Sequence, residues 1–357
     1  MYNRREILLL GGALGLGIES VSANPQSGGS SKLGVCTDSY ALRSRANRNA
    51  GEGEERFTEP VRFLTYCHNL GAGGVQVGIG RRDETYARQL HRQAEQWGMF
   101  VEGTGGLPRD QTDLERFEAE VVTAKNAGVQ VIRVVMPSKG SGRRYEAFKS
   151  AEEFRQTRDR GRKMLELAEP VVARHRIRLA VENHKDERIP EKLETIKRLS
   201  SEYVGICVDT GNDIAFLEDP MEVVEAYAPW AFSVHLKDAA VREYEDGFLL
   251  ADVPLGEGIL DLPKVVEILR GRHPEVHFSL EMMTRDPLKV PCLTEGYWSA
   301  MGDIPGSHLA HMLKMVRTRA GKEALPQVSR LPTSEQFAME DANVKKCLAY
   351  AREHLGL

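Results

Sequence analysis

The sequence predicts an α/β fold, a closed (β/α)8 barrel carrying a C-terminal helical extension. Three observations lead there. Apolar runs of strand length alternate with helical stretches from Lys32 to Thr284, a rhythm that predicts a parallel sheet. Eight such runs fall within about 250 residues, the usual span of one barrel. No GxGxxG follows the first run, which leaves an open, doubly wound sheet as the second choice.

The elements follow in order. Lys32 to Thr37 (KLGVCT) is the first strand, and Thr58 to Leu70 has helical periodicity. Gly71-Ala72-Gly73-Gly74 breaks that helix before the second strand, Val75 to Ile79. Asp83 to Trp97 is a polar amphipathic helix stopped by Gly98, since glycine readily takes the left-handed conformation that ends helices. Met99 to Gly103 is the third strand and runs into a glycine-rich loop ending at Pro108. Asp110 to Asn126 is helical, and Val129 to Met136 (VQVIRVVM) is a fourth strand rich in β-branched residues. A long helix from Glu152 to Arg174 leads to the fifth strand, Ile177 to His184. Pro190 to Leu199 is a helix, and Val204 to Thr210 is the sixth strand. Asp219-Pro220 is an N-cap and first-turn pair opening a helix to Tyr227. Phe232 to Lys237 is the seventh strand, followed by a long loop through Pro254-Leu255-Gly256-Glu257-Gly258. Asp261-Leu262-Pro263 opens a helix to Leu269, and Val276 begins the eighth strand. Beyond it the rhythm stops. Pro287 to Pro305 reads as irregular, and Ser307 to Arg319 and Ser334 to His354 as helices. Residues 285–357 are thus expected to pack on the barrel or to form an interface.

Four consecutive strands share one device. IRLAVENH holds Glu182, VGICVDT holds Asp209, FSVHLK holds His235 and VHFSLEMM holds Glu281, each at or next to the strand's C-terminal end. A buried strand has no internal use for an ionisable group, because an unpaired buried charge is very costly. Strand ends of a barrel meet at one mouth, so the four groups are expected to converge on a single divalent cation. Three carboxylates and one imidazole suit Mn²⁺, Mg²⁺ or Co²⁺ better than structural zinc.

VENHKD, VDTGN, VHLKDA and LEMM, in that order, resemble the motifs of xylose-isomerase-like TIM-barrel proteins, the sugar phosphate isomerase/epimerase superfamily. That group includes ketose 3-epimerases, hydroxypyruvate isomerases and inosose dehydratases. The resemblance covers residues 32–283 and is strongest from Leu179 onward. It implies that Glu182, Asp209, His235 and Glu281 bind one metal ion, and that Glu182 and Glu281 move protons on opposite faces of the substrate. This chain departs from the pattern at Asn212, where many relatives have histidine. The second and third strands carry Gln76 and Glu102 in place of the histidines that nuclease relatives use for a zinc cluster.

Substrate contacts are expected from four further residues. His184 and Lys237 lie two residues past Glu182 and His235, on the same strand face. Lys237 there can hold an oxyanion. Arg242 in the following loop and Asn212 complete the set. Asn183 and Asp238 alternate to the other side and are expected to orient their neighbours. Gly256 and Gly258 fit either a phosphate nest or, better, a turn before the Asp261 cap.

The expected activity is a metal-dependent isomerase or epimerase working on a keto-sugar or sugar derivative through an enediolate. Two alternatives stay open: a lyase or dehydratase acting by β-elimination on an oxidised sugar or glycoside, and a sugar-binding barrel without turnover. A net charge of −4 over 357 residues gives no electrostatic footprint for nucleic acid. Five scattered cysteines with no CxxC give neither a disulfide framework nor a zinc finger; Cys36 and Cys207 are expected to be buried thiols. At the N-terminus, Arg4-Arg5, the short apolar run to Ile18 and Val21-Ser22-Ala23 resemble a twin-arginine export signal. Residues 1–23 are therefore read as a signal peptide and 24–31 as a linker, giving an exported protein with no stable membrane anchor. Self-association into a homo-oligomer is left open.

Overall fold

Alternation inside each barrel strand decides which side chains meet the helices and which fill the barrel. The computed structural model describes residues 30–47, 57–140, 142–321 and 324–357; the proposed signal peptide and most of the linker lie outside them. In chain order the strands are β1 (Gly34–Cys36), β2 (Gly74–Gly78), β3 (Phe100–Thr104), β4 (Val131–Val134), β5 (Arg178–Glu182), β6 (Val204–Asp209) and β7 (Ala231–Leu236), then β8 (Asp238–Tyr244), β9 (Gly247–Val253), β10 (Phe278–Leu280) and β11 (Leu288–Val290). β1 to β7 and β10 form a closed parallel barrel in which β10 sits between β7 and β1. The eight expected strands and the closed (β/α)8 barrel are therefore present.

Val75, Val77, Ile132, Val134, Leu179, Val181, Val234, Leu236, Phe278 and Leu280 all join one apolar core with the surrounding helices. Burying each such side chain contributes about 1.5–3 kcal/mol. The residues between them, among them Gln76, Arg133, Glu182, His235 and Ser279, take the opposite, inward face of the same strands. The barrel interior is polar from its middle to its mouth.

The chain after β7 departs from expectation. It forms a β8–β9 hairpin, which β11 joins as a third antiparallel strand. The segment 287–305, expected to be irregular, contains β11 and the helix Glu295–Met301. Weak alternation in DAAVREY hides the hairpin, yet Asp246-Gly247 at its turn is a hairpin signal. Gly247 has φ 150°, and a Cβ there would lie 2.3 Å from the Val290 carbonyl oxygen. A second apolar core, with Phe216, Phe248, Tyr297 and Met312, packs this sheet against Glu295–Met301 and Gly306–Arg319. The buried Arg144 donates to the Ala300 and Met301 carbonyls at 2.8 and 3.1 Å, satisfying the last turn of that helix.

The helix Thr333–Tyr350 returns to the barrel, where Val344, Cys347 and Leu348 enter the main core. Its Glu340 accepts from Leu42 N at 2.6 Å and Arg43 N at 3.3 Å, capping a short helix, Ala41–Asn47, that the sequence reading did not anticipate. All five cysteines are buried and free. No helix among the described residues is long and apolar enough to cross a membrane.

Candidate metal centre

Register brings the four strand-end groups together. Asp209 and His235 are partners across β6 and β7, and His235 pairs with Ser279, two residues before Glu281. Glu182 ends β5 opposite Cys207, one pleat below Asp209. One ligand atom from each of Glu182, Asp209, His235 and Glu281 lies within 4.8 Å of the others, and all four residues are buried. His235 Nδ1 stands 3.6 Å from Oε2 of both Glu182 and Glu281 and makes no hydrogen bond among the described residues.

The other imidazole nitrogen explains why Nδ1 is left open. His235 Nε2 lies 2.7 Å from Gln76 Oε1. The Gln76 amide is oriented by its own NH₂, which donates to Glu102 Oε2 at 3.0 Å and Ser233 Oγ at 3.3 Å. Reversing the amide would set its oxygen against that carboxylate. Nε2 must therefore be the donor to Gln76, and Nδ1 presents its lone pair or a second proton to the carboxylates. Gln76 and Glu102 thus orient the imidazole.

Charge in the cluster is balanced by cations from its walls. Burial pushes the Glu182 carboxyl up, but Arg133 and then His235 outweigh it and hold the group down at about 2. Arg133 forms a tight ion pair with Glu182. Glu281 is likewise held well below its ordinary value, with Lys237 and His235 overcoming burial. Asp209 goes the other way, pushed up to about 6 by burial against the pull of Lys237. The Lys237 ammonium sits 2.8 Å from Asp209 Oδ2 and 2.5 Å from Glu281 Oε2. Burial opposes a proton on His235, but Cys207 and the facing Glu281 and Glu182 raise its pKa well above the ordinary histidine value. With Arg133 answering one of the three carboxylates, the imidazolium and this ammonium supply the two positive charges that remain. A divalent ion offers the same charge at the same oxygens, so the residues fit one.

The remaining expected residues separate into two groups. Asn212 is central: its Nδ2 donates to Glu182 Oε1 and to the Asn183 carbonyl, both at 3.2 Å, and its Oδ1 receives Lys185. Asp209 Oδ1 accepts the backbone N–H of Gly211 and Asn212, both at 2.9 Å. Asn183 brackets Asp209 through both its amide atoms, and Asp238 accepts from Gly256, Gly258 and Leu260, as expected of orienting residues. Those bonds use the N–H groups that a phosphate nest would have offered. His184 is half-buried beside Gly142, and burial lowers its pKa to about 4, so it is neutral. Arg242 is corrected: it lies on β8, not in a loop, and its guanidinium donates to the Gly321 carbonyl at 3.3 Å, away from the cluster.

The hairpin and the loop after β10 supply what the sequence reading missed. Asp252 from β9 and Arg285 meet at 2.8–2.9 Å and line a small pocket with Lys185, Asn212 and Lys237. Arg133 on β4 was visible as the lone charge in VQVIRVVM. Asp38, just past β1, groups with Cys36 and Glu281 at the mouth; burial pushes the Cys36 thiol up to about 11, so it is no nucleophile at neutral pH.

Comparison with known proteins agrees with this fold. A family model described as xylose isomerase-like TIM barrel matches residues 64–296. The chain is 28% identical over 226 residues to a 3-oxo-isoapionate decarboxylase of Pectobacterium atrosepticum, covering 61% of this chain and 76% of that one. A D-psicose 3-epimerase solved in the presence of D-fructose has the same fold, with TM-score 0.55 and 13% identity over 91% of this chain and 99% of the other. A probable 3-DHS dehydratase from Bacillus anthracis superposes with TM-score 0.50 and 16% identity, covering 82% of this chain and 99% of its own.

Proposed function

The chain belongs to the xylose isomerase-like TIM-barrel family, and from that premise we propose that it is a divalent-metal-dependent isomerase or epimerase of a keto-sugar or sugar derivative. The observation that carries the proposal is the buried His235 Nδ1, which makes no hydrogen bond among the described residues and faces two ionised carboxylates. Glu182, Asp209, His235 and Glu281 would hold the ion, with Mn²⁺, Mg²⁺ or Co²⁺ suited to this donor set. Bound there, it would act as a Lewis acid on the substrate carbonyl and acidify the adjacent C–H.

The chain's own groups do the proton work. Glu182 and Glu281 are both held ionised, so either can accept a proton from the carbon next to the carbonyl. Arg133 and Asn212 fix Glu182 from two sides, giving it one orientation. Lys237, which pairs with Glu281 and Asp209, is placed to answer negative charge as it develops on the enediolate oxygen. The substrate is a small molecule admitted at the mouth.

The test is NMR of keto-sugars in D₂O with the Mg²⁺ protein. Deuterium entering next to the carbonyl, at least 100-fold slower in Glu281→Gln with its metal content verified, is the expected result. A lyase is the second reading, favoured by the 28% identity to a decarboxylase. It predicts loss of a carbon or oxygen substituent in the same tubes. Binding of metal and sugar without exchange or cleavage would refute both and leave a sugar-binding barrel.

A further inference from the structure

Lys185 stands apart from the other buried and half-buried cations around it. Arg133 faces Glu182, Arg144 faces Glu191, Lys192 faces Glu187, Lys237 faces Asp209 and Glu281, and Arg285 faces Asp252. Lys185 is only 5% exposed, yet among the described residues its ammonium has no carboxylate partner. Its one hydrogen bond goes to the neutral Asn212 Oδ1. A buried ammonium left in that state is costly. Burial, then repulsion from Lys237 and Arg285, lowers its pKa to about 8.

Lys185 lines the small pocket beside the metal ligands, and Arg285 lines it too. Arg285 gives its Nε and one terminal nitrogen to Asp252, and its Nη1 makes no hydrogen bond to the described residues. Two cationic groups with donor capacity to spare thus line one pocket. Charge points the same way. A divalent ion on the three carboxylates would free Lys237 from Asp209 and Glu281, adding a third cation against the single carboxylate of Asp252. Three cations against one carboxylate leave two positive charges, so the pocket favours an anion. The pocket is small, about 10 Å³, which favours a planar carboxylate over a bulkier tetrahedral phosphate.

We propose that this pocket is a carboxylate subsite, so that the substrate is a keto-sugar acid whose carboxylate is held by Lys185 and Arg285. This rests on the reading of the site as that of a metal-assisted sugar enzyme. It differs from that reading in naming the substrate's charge. Lys185 sets specificity here and takes no part in proton transfer.

Calorimetric titration of the Mg²⁺ protein tests it with 2-keto-D-gluconate, D-fructose and D-fructose 6-phosphate as probes. The acid should bind at least tenfold tighter than the neutral ketose. Lys185→Met should erase that preference while its affinity for Mn²⁺ alone stays within about threefold of wild type; Lys185→Arg should retain much of the preference. Circular dichroism checks that each variant is folded, and Lys185→Gln replaces the methionine variant if that one is not. Equal binding of acid and ketose, retention of the preference in Lys185→Met, or tighter binding of the phosphate each overturns the subsite. Proton exchange on a neutral ketose without any acid preference would sink the subsite alone. Failure to take up metal, with the acid preference intact, would sink only the metal reading.

Discussion

Replacing Gln76 by leucine keeps the side chain's approximate volume and removes its amide. The change breaks three buried hydrogen bonds, to His235 Nε2, Glu102 Oε2 and Ser233 Oγ. Ser233 still donates to Glu102 at 2.5 Å, so that carboxylate keeps a hydrogen-bond donor. His235 Nε2–H is left without an acceptor, and an unsatisfied buried polar group costs about 1–3 kcal/mol. The ring can relieve that penalty by shifting its proton to Nδ1, the nitrogen required as ligand. Loss of such an orienting partner typically lowers metal affinity by roughly 10–100-fold. Gln76→Leu should therefore bind Mn²⁺ at least tenfold more weakly, although Gln76 hydrogen-bonds none of the three ligand carboxylates. The assay is Mn²⁺ titration by electron paramagnetic resonance, with urea unfolding of the metal-free variant run in parallel. A folded variant with affinity within twofold of wild type would refute the proposed tautomer.

Two other predictions follow from the same physics. In the metal-free protein, the folded-state pKa of Lys185 is lowered from 10.5 to about 8, so the unfolded chain binds more protons between those values. Its penalty is fully present below about pH 8 and is relieved as pH rises toward 10.5. Lys185→Met should accordingly be more stable than wild type at pH 7 by up to about 3 kcal/mol, less the Asn212 hydrogen bond. That advantage should shrink by pH 10; urea unfolding at the two pH values reads it, and a difference independent of pH would contradict it. Export is the other prediction: the mature chain should begin at or near Asn24, as mass spectrometry of the secreted fraction would show, whereas an intact Met1 in a cytoplasmic fraction would count against it.

The barrel and its four candidate ligands were legible for one physical reason. An apolar run with a single ionisable group at its end, as in VGICVDT or VHFSLEMM, has few stable uses besides a barrel mouth. Gln76 and Glu102 were noticed only as missing histidines. Their effect on His235 depends on contact between β2, β3 and β7, which no local pattern encodes. Asp252 and Arg285 escape a local reading because the Ala-Ala and Arg-Glu pairs of β8 blur its alternation, so the hairpin reads as loop. The same misreading sent Arg242 toward the site, though β8 carries it away. Lys185 is, in sequence, one charge among several in VENHKDE. Its distinction is the absence of a carboxylate partner among the described residues, which emerges only once every neighbouring cation has been matched to an anion.

The central claim is that Glu182, Asp209, His235 and Glu281 form one divalent-metal site, and stoichiometric Mn²⁺ binding tests it most directly. Metal-free protein titrated with Mn²⁺ should take up one ion per chain, with nitrogen hyperfine coupling from a single imidazole in the pulsed resonance spectrum. His235→Ala, folded by circular dichroism, should lose that coupling and bind at least 100-fold more weakly. Wild-type protein without saturable Mn²⁺ binding, or a His235→Ala variant that keeps both affinity and nitrogen coupling, would contradict the assignment.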